Sequence, residues 1–120
     1  MNSDMPSELT ENKIMEIDKK KKKLQKIITI LNENFSSFQQ KYKIKEMSII
    51  GSYARGEETA ESDLDIMVDF YEPIGWEVVD LRDDLEKLFG INIDLILKAG
   101  VMQKERLYSG ILEDAIYVKA

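Results

Sequence analysis

The chain has 120 residues, a formal charge of −6, a pI near 4.8, and neither cysteine nor histidine. Those absences exclude a disulfide framework, a thiol nucleophile, a thiolate zinc site and a histidine base, so proton transfer falls to carboxylates, lysine, tyrosine or metal-bound water. The acidic balance argues against a grip on long nucleic acid, no apolar run approaches the ~20 residues of a membrane span, and no signal-peptide core is present, so one cytoplasmic domain is expected.

In chain order, Met1 to Ser7 contains Pro6 among polar residues without periodicity and reads as frayed. Ile14, Ile17, Leu24, Ile28 and Leu31 then recur at helical spacing, with Lys21 in the slot between Ile17 and Leu24. Thr10 or Glu11 stands near the predicted start, and the stripe reads as core. Lys19 to Lys23 is an unbroken basic run, and five successive positions on a helix cannot share one face. The simpler reading is a solvated segment projecting from the domain; the alternative is a docking arm for an acidic partner surface or RNA. Asn32 to Asn34 interrupt the pattern, and Phe35, Phe38 and Tyr42 predict a second, short helix. A strand over Glu46–Ile50 follows.

That strand ends in Gly51-Ser52, where glycine lets the backbone approach a ligand and exposed N–H groups with a hydroxyl suit phosphate oxygens. Tyr53, Ala54 and Arg55 open a short predicted helix. Arg55 is placed either to reach a phosphate or to bridge Glu57 or Glu58 and hold the loop. Glu57, Glu58 and Glu61 read as a solvated rim, with Ser62 placed to orient Asp63. Over Asp63 to Phe70 acidic and apolar residues alternate, so Leu64, Ile66, Val68 and Phe70 share one strand face and Asp63 and Asp65 the other. Paired carboxylates repel unless a cation lies between them, and Mg²⁺ bound by a few carboxylates completes its shell with water and substrate phosphates. The same alternation is also what any half-buried strand shows.

Tyr71 to Gly75 is a loop. Val78, Leu81, Leu85 and Leu88 predict a helix that Gly90 ends. Trp76 at its mouth reads as closing the edge of the core, with base stacking or a partner surface as alternatives. Ile91 to Leu97 is a predicted strand with Asn92, Asp94 and Ile96 on one face. The tail reads as a helix through Leu107 and Ile111 and a terminal apolar segment Ala115 to Val118, with no chemistry assigned.

Gly51-Ser52, ten residues, then Asp63-x-Asp65 resembles the signature of the polymerase-beta-like nucleotidyltransferases. The fuller text Gly51-Ser52-Tyr53-Ala54-Arg55-Gly56 with Ser62-Asp63-Leu64-Asp65-Ile66-Met67-Val68 is similar, more narrowly, to the minimal nucleotidyltransferase (MNT) antitoxins, partners of HEPN-domain ribonuclease toxins. The resemblance extends from roughly Ile27 to Val118. It implies an α/β (α+β) fold with a small mixed or antiparallel sheet packed against helices, formed by residues 27–120, with 1–26 as an N-terminal helical extension. It also implies Asp94 as the third carboxylate and the tail as a closing element that packs or meets a partner.

The expected chemistry is transfer of AMP from ATP to a tyrosine hydroxyl of a cognate HEPN toxin in a hetero-oligomer. Asp63, Asp65 and Asp94 would bind two Mg²⁺ ions and act in catalysis, while Gly51, Ser52 and Arg55 would bind the nucleotide. Two other readings stand beside it: an antitoxin that works by occlusion without catalysis, and a transferase for a small molecule such as an aminoglycoside. The latter normally needs an added substrate domain or a dimer.

Overall fold

The computed structural model describes the backbone of residues 7–119 and the side chains of 11–119. The frayed start expected for Met1 to Ser7 lies outside the described residues except at Ser7, where a helix has already begun. That helix, α1 (Ser7–Tyr42), is followed by β1 (Ile44–Ile50), α2 (Gly51–Arg55), β2 (Leu64–Phe70), α3 (Glu77–Phe89), β3 (Ile93–Leu97), α4 (Lys98–Val101), α5 (Glu105–Asp114) and β4 (Ile116–Tyr117). The four strands form one mixed sheet in the order β3-β2-β1-β4, antiparallel except for the β2–β3 pair. This is the fold that the sequence predicts.

One face of the sheet carries the main core. Met47 and Ile49 of β1 and Leu64, Ile66 and Val68 of β2 pack against Leu31 and Phe35 of α1 and Leu81 and Leu85 of α3. The predicted α3 stripe and its glycine stop are both present: Gly90, at φ 69°, caps the helix and donates its N–H to Glu86 O at 2.7 Å. The opposite face carries Ser48, Ile50, Asp65, Met67 and Ile96, and α4 and α5 lie over it.

Three local expectations are corrected. Asn32 to Asn34 do not break α1, so the second, short helix expected through Phe35, Phe38 and Tyr42 is part of it. Asparagine costs a helix only a fraction of a kcal/mol, and the Asn34 side chain donates to Ile30 O within the helix. Against that small cost, Ile27, Leu31, Phe35 and Tyr42 form one continuous buried stripe. Trp76 does not close the core; it is 86% exposed. The predicted rim residue Glu58 is buried, because the loop after α2 folds back beneath α1, where Glu58 shares a hollow with Lys19, Lys20 and Lys23. The lysine run therefore does not simply project: Lys23 Nζ stands 5.1 Å from the centre of the Tyr53 ring, a cation–π contact with the residue after Ser52.

The helix crosses from Lys26 to Ile27 without a break, yet its burial changes there. Ile14, Met15 and Ile17 are about half exposed, whereas Ile27 is buried and Leu31 fully so. The apolar stripe read from Ile14 to Leu31 is thus core only in its second half. Leu31→Ala should lower unfolding free energy by about 2–5 kcal/mol, and Ile17→Ala should leave it within about 0.5 kcal/mol. Urea denaturation of the two variants beside the parent checks the contrast.

Candidate active site

The site is built where β1 ends and β2 begins. Antiparallel pairing sets Ile50 opposite Asp65, so the chain leaving β1 at Gly51 passes directly over that carboxylate. Gly51 has φ 74°, and a Cβ built on it would overlap the Asp65 carboxylate. Glycine is required here twice, for the left-handed backbone and for the close approach. Ser52 and Tyr53 continue into α2, and the buried Tyr53 ring anchors the turn in the core.

On its other side β2 runs parallel to β3, and Asp65 is in register with Asp94. Neighbouring strands lie about 4.8 Å apart, and residues in register share a face, so the two carboxylates stand side by side. Asp63, two residues before Asp65 at the mouth of β2, lies toward the same side. The electrostatics agree: burial chiefly, then the charges of Asp94 and Asp63, push the Asp65 carboxyl above the ordinary carboxylate range, and Arg55 opposes them.

No hydrogen bond or ion pair engages the side chain of Asp63, Asp65 or Asp94 among the described residues. Nor, among those residues, is any group of three acidic side chains drawn in closely enough to grip a metal ion as it stands. The donor set nonetheless fits a hard divalent cation: all oxygen, with unengaged carboxylates repelling one another. Arg55 follows the loop-holding alternative, with Nε 2.9 Å from Glu57 Oε1 and Nη1 4.0 Å from Asp114 Oδ2.

Sequence reasoning missed the far wall. Arg106, Leu107, Gly110, Ile111 and Asp114 of α5 face Gly51, Arg55, Asp65 and Ile96 across a cleft of about 440 Å³. The tail, assigned no chemistry from sequence, therefore forms half of the site. Its spacing carried the signal, since Arg106, Gly110 and Asp114 recur every four residues on one helical face.

A glycine turn and paired aspartates thus stand at adjoining strand ends, with an arginine beside them. The nucleotidyltransferase domain family model matches residues 24–118. A candidate protein adenylyltransferase of Methanocaldococcus jannaschii is 42% identical over 81% of this chain and 99% of its own length. The protein adenylyltransferase MntA of Thermococcus cleftensis is 33% identical over 79% of this chain and 95% of its own. Among solved structures, a candidate minimal nucleotidyltransferase superposes with a TM-score of 0.60 at 26% identity, covering 83% of this chain and 93% of that one. A chain of a toxin–antitoxin complex with AMP-PNP shares the fold with a TM-score of 0.55 at 15% identity, covering 72% of this chain and 71% of that one. The chain belongs to the nucleotidyltransferase domain family, in its minimal, polymerase-beta-like form.

The raised Asp65 carboxyl has a consequence for stability. An acid whose folded pKa lies above its unfolded value favours folding below the unfolded pKa, near ~3.9 for aspartate, and that contribution disappears as pH rises through the folded value. At neutral pH the ionised group therefore strains the fold. Asp65→Asn should raise the thermal midpoint at pH 7 and lose that advantage below about pH 4. Mg²⁺ should raise the midpoint of the parent and leave Asp63→Asn/Asp65→Asn unmoved. Thermal melts across pH, with and without the ion, check both outcomes.

Proposed function

We propose that this protein is a protein adenylyltransferase that modifies, and thereby neutralises, a cognate HEPN-domain toxin. One observation supports the reading: the Gly51 turn passes over Asp65, which is in register with Asp94, in a chain that spans nearly the whole length of relatives described as protein adenylyltransferases. The fold shared with a chain of a toxin–antitoxin complex supports the partner. ATP is a cytoplasmic donor, which sets the compartment. Among the described residues no helix is long and apolar enough to cross a membrane.

In this reading the Gly51-Ser52 backbone and the Ser52 hydroxyl hold the terminal phosphates, and Arg55 exchanges its pairing with Glu57 for one with phosphate. Asp63, Asp65 and Asp94 are the residues that would hold magnesium, of which two ions supply neutralisation of the triphosphate and activation of the acceptor hydroxyl. The tyrosine oxygen attacks the α-phosphorus, the bond to the β-phosphate oxygen breaks, and pyrophosphate leaves. The tyrosine proton passes to Asp94, the exposed member of the register pair, since the chain has no histidine. Residues 27–120 act as the catalytic unit and 1–26 as a helical extension, in keeping with burial that begins at Ile27 and a family match that begins at residue 24.

Incubating the purified toxin with this protein, ATP and Mg²⁺ should add one or more AMP units to its intact mass. Asp63→Asn/Asp65→Asn should reduce the transfer rate by about 10³-fold or more, the scale on which transition-state charge stabilisation is lost. An unmodified toxin that is still inhibited in a stable complex would replace this reading with occlusion.

A further inference from the structure

The α5 wall of the cleft is not used by the chemistry described above, and its composition is selective. Leu107 and Ile111 face Ile96 across the cleft, so its middle is apolar. Gly110 lies between them in the sequence, in an ordinary helical conformation, and a Cβ built there meets no atom within 4 Å. The space above Gly110 is open. Arg106 is exposed and, among the described residues, has no carboxylate within 4.0 Å, whereas Arg55 is paired at the other end.

The two arginines mark opposite ends. Asp114 is next to Arg55, and Arg106 lies eight positions back along α5, about 12 Å at 1.5 Å per residue. Phosphates held at Gly51 and Arg55 leave the rest of an extended nucleotide to run along this wall. An apolar slot with an unpaired guanidinium at its far end suits a flat aromatic ring, which arginine stacks upon through its planar face.

Resting on the adenylyltransferase reading, we infer that α5 is the nucleoside seat: the purine lies over Gly110 between Ile96 and Leu107, and Arg106 stacks on it. Arg106 then acts on the base, not on the triphosphate. Gly110 is small because a side chain there would occupy the slot.

Binding of AMP-PNP and of inorganic tripolyphosphate, each with Mg²⁺, tests this by calorimetry on the full chain. Gly110→Phe removes a glycine from a helix, which favours the fold, and thermal melts confirm that it and Arg106→Ala stay folded. Arg106→Ala should weaken AMP-PNP by roughly three- to thirtyfold, and Gly110→Phe by as much or more, while tripolyphosphate binds both as it binds the parent. Unchanged AMP-PNP affinity in either variant, or a parallel loss of tripolyphosphate, overturns the inference. Because binding is read without the acceptor protein, a failure of AMP transfer to the toxin leaves this test standing.

Discussion

The site depends on one close approach, that of the Gly51 backbone to the Asp65 carboxylate. It joins the two halves of the motif, which are separated by a loop in sequence but adjacent across the β1–β2 pair. A residue with a side chain at position 51 would have to displace Asp65 while adopting φ 74°, so both the glycine turn and the acid pair would move together. The same contact explains the cost of the site. Asp65 is partly buried by the turn above it and is flanked by two further acids, so its ionised form is disfavoured by its own surroundings. The fold bears that cost through the main core on the opposite face, where Leu64 and Ile66 are fully buried between Asp63, Asp65 and Met67 in sequence.

Alternation along β2 is what allows the division. A two-residue period sends each neighbour of an acid into the core, so the strand is anchored by Leu64 and Ile66 as firmly as it is strained by Asp65. Met67 is buried on the acidic face, and α4, which follows Leu97 opposite Val68, lies toward the end of β2 away from Gly51. The cleft is therefore confined to the end at which Gly51 and α5 meet.

Gly51-Ser52 and Asp63-x-Asp65 stand out in the sequence because each signal is local or periodic, whereas Asp94 is singled out only by the family resemblance. The α3 stripe and its Gly90 stop were legible for the same reason. What could not be read depends on packing between distant segments. Asn32 to Asn34 carry a weak local preference against helix, and the buried stripe through Leu31 and Phe35 overrides it. Glu58 looks like surface until α1 is laid across its loop. Trp76 looks like core until the sheet is seen to be filled without it. The α5 wall was missed because a helical face of arginine, glycine and aspartate has no meaning until Gly51 and Asp65 lie opposite.

The lysine stretch shows how one segment serves the fold locally without being part of the core. Lys23 lies over the Tyr53 ring, and Tyr53 directly follows the Gly51-Ser52 turn, so α1 braces the turn from behind while α5 closes it in front. Glu16, Lys19 and Lys20 border the hollow that Glu58 lines from the loop below. In a chain of formal charge −6, concentrating ammonium groups along α1 also leaves the cleft with few cations of its own, chiefly Arg55 and Arg106. On the proposed adenylyltransferase reading, a triphosphate entering so acidic a site would meet repulsion from Asp63, Asp65 and Asp94 unless it arrived with a divalent cation. On that reading the charge balance favours a metal-bound nucleotide over a free one.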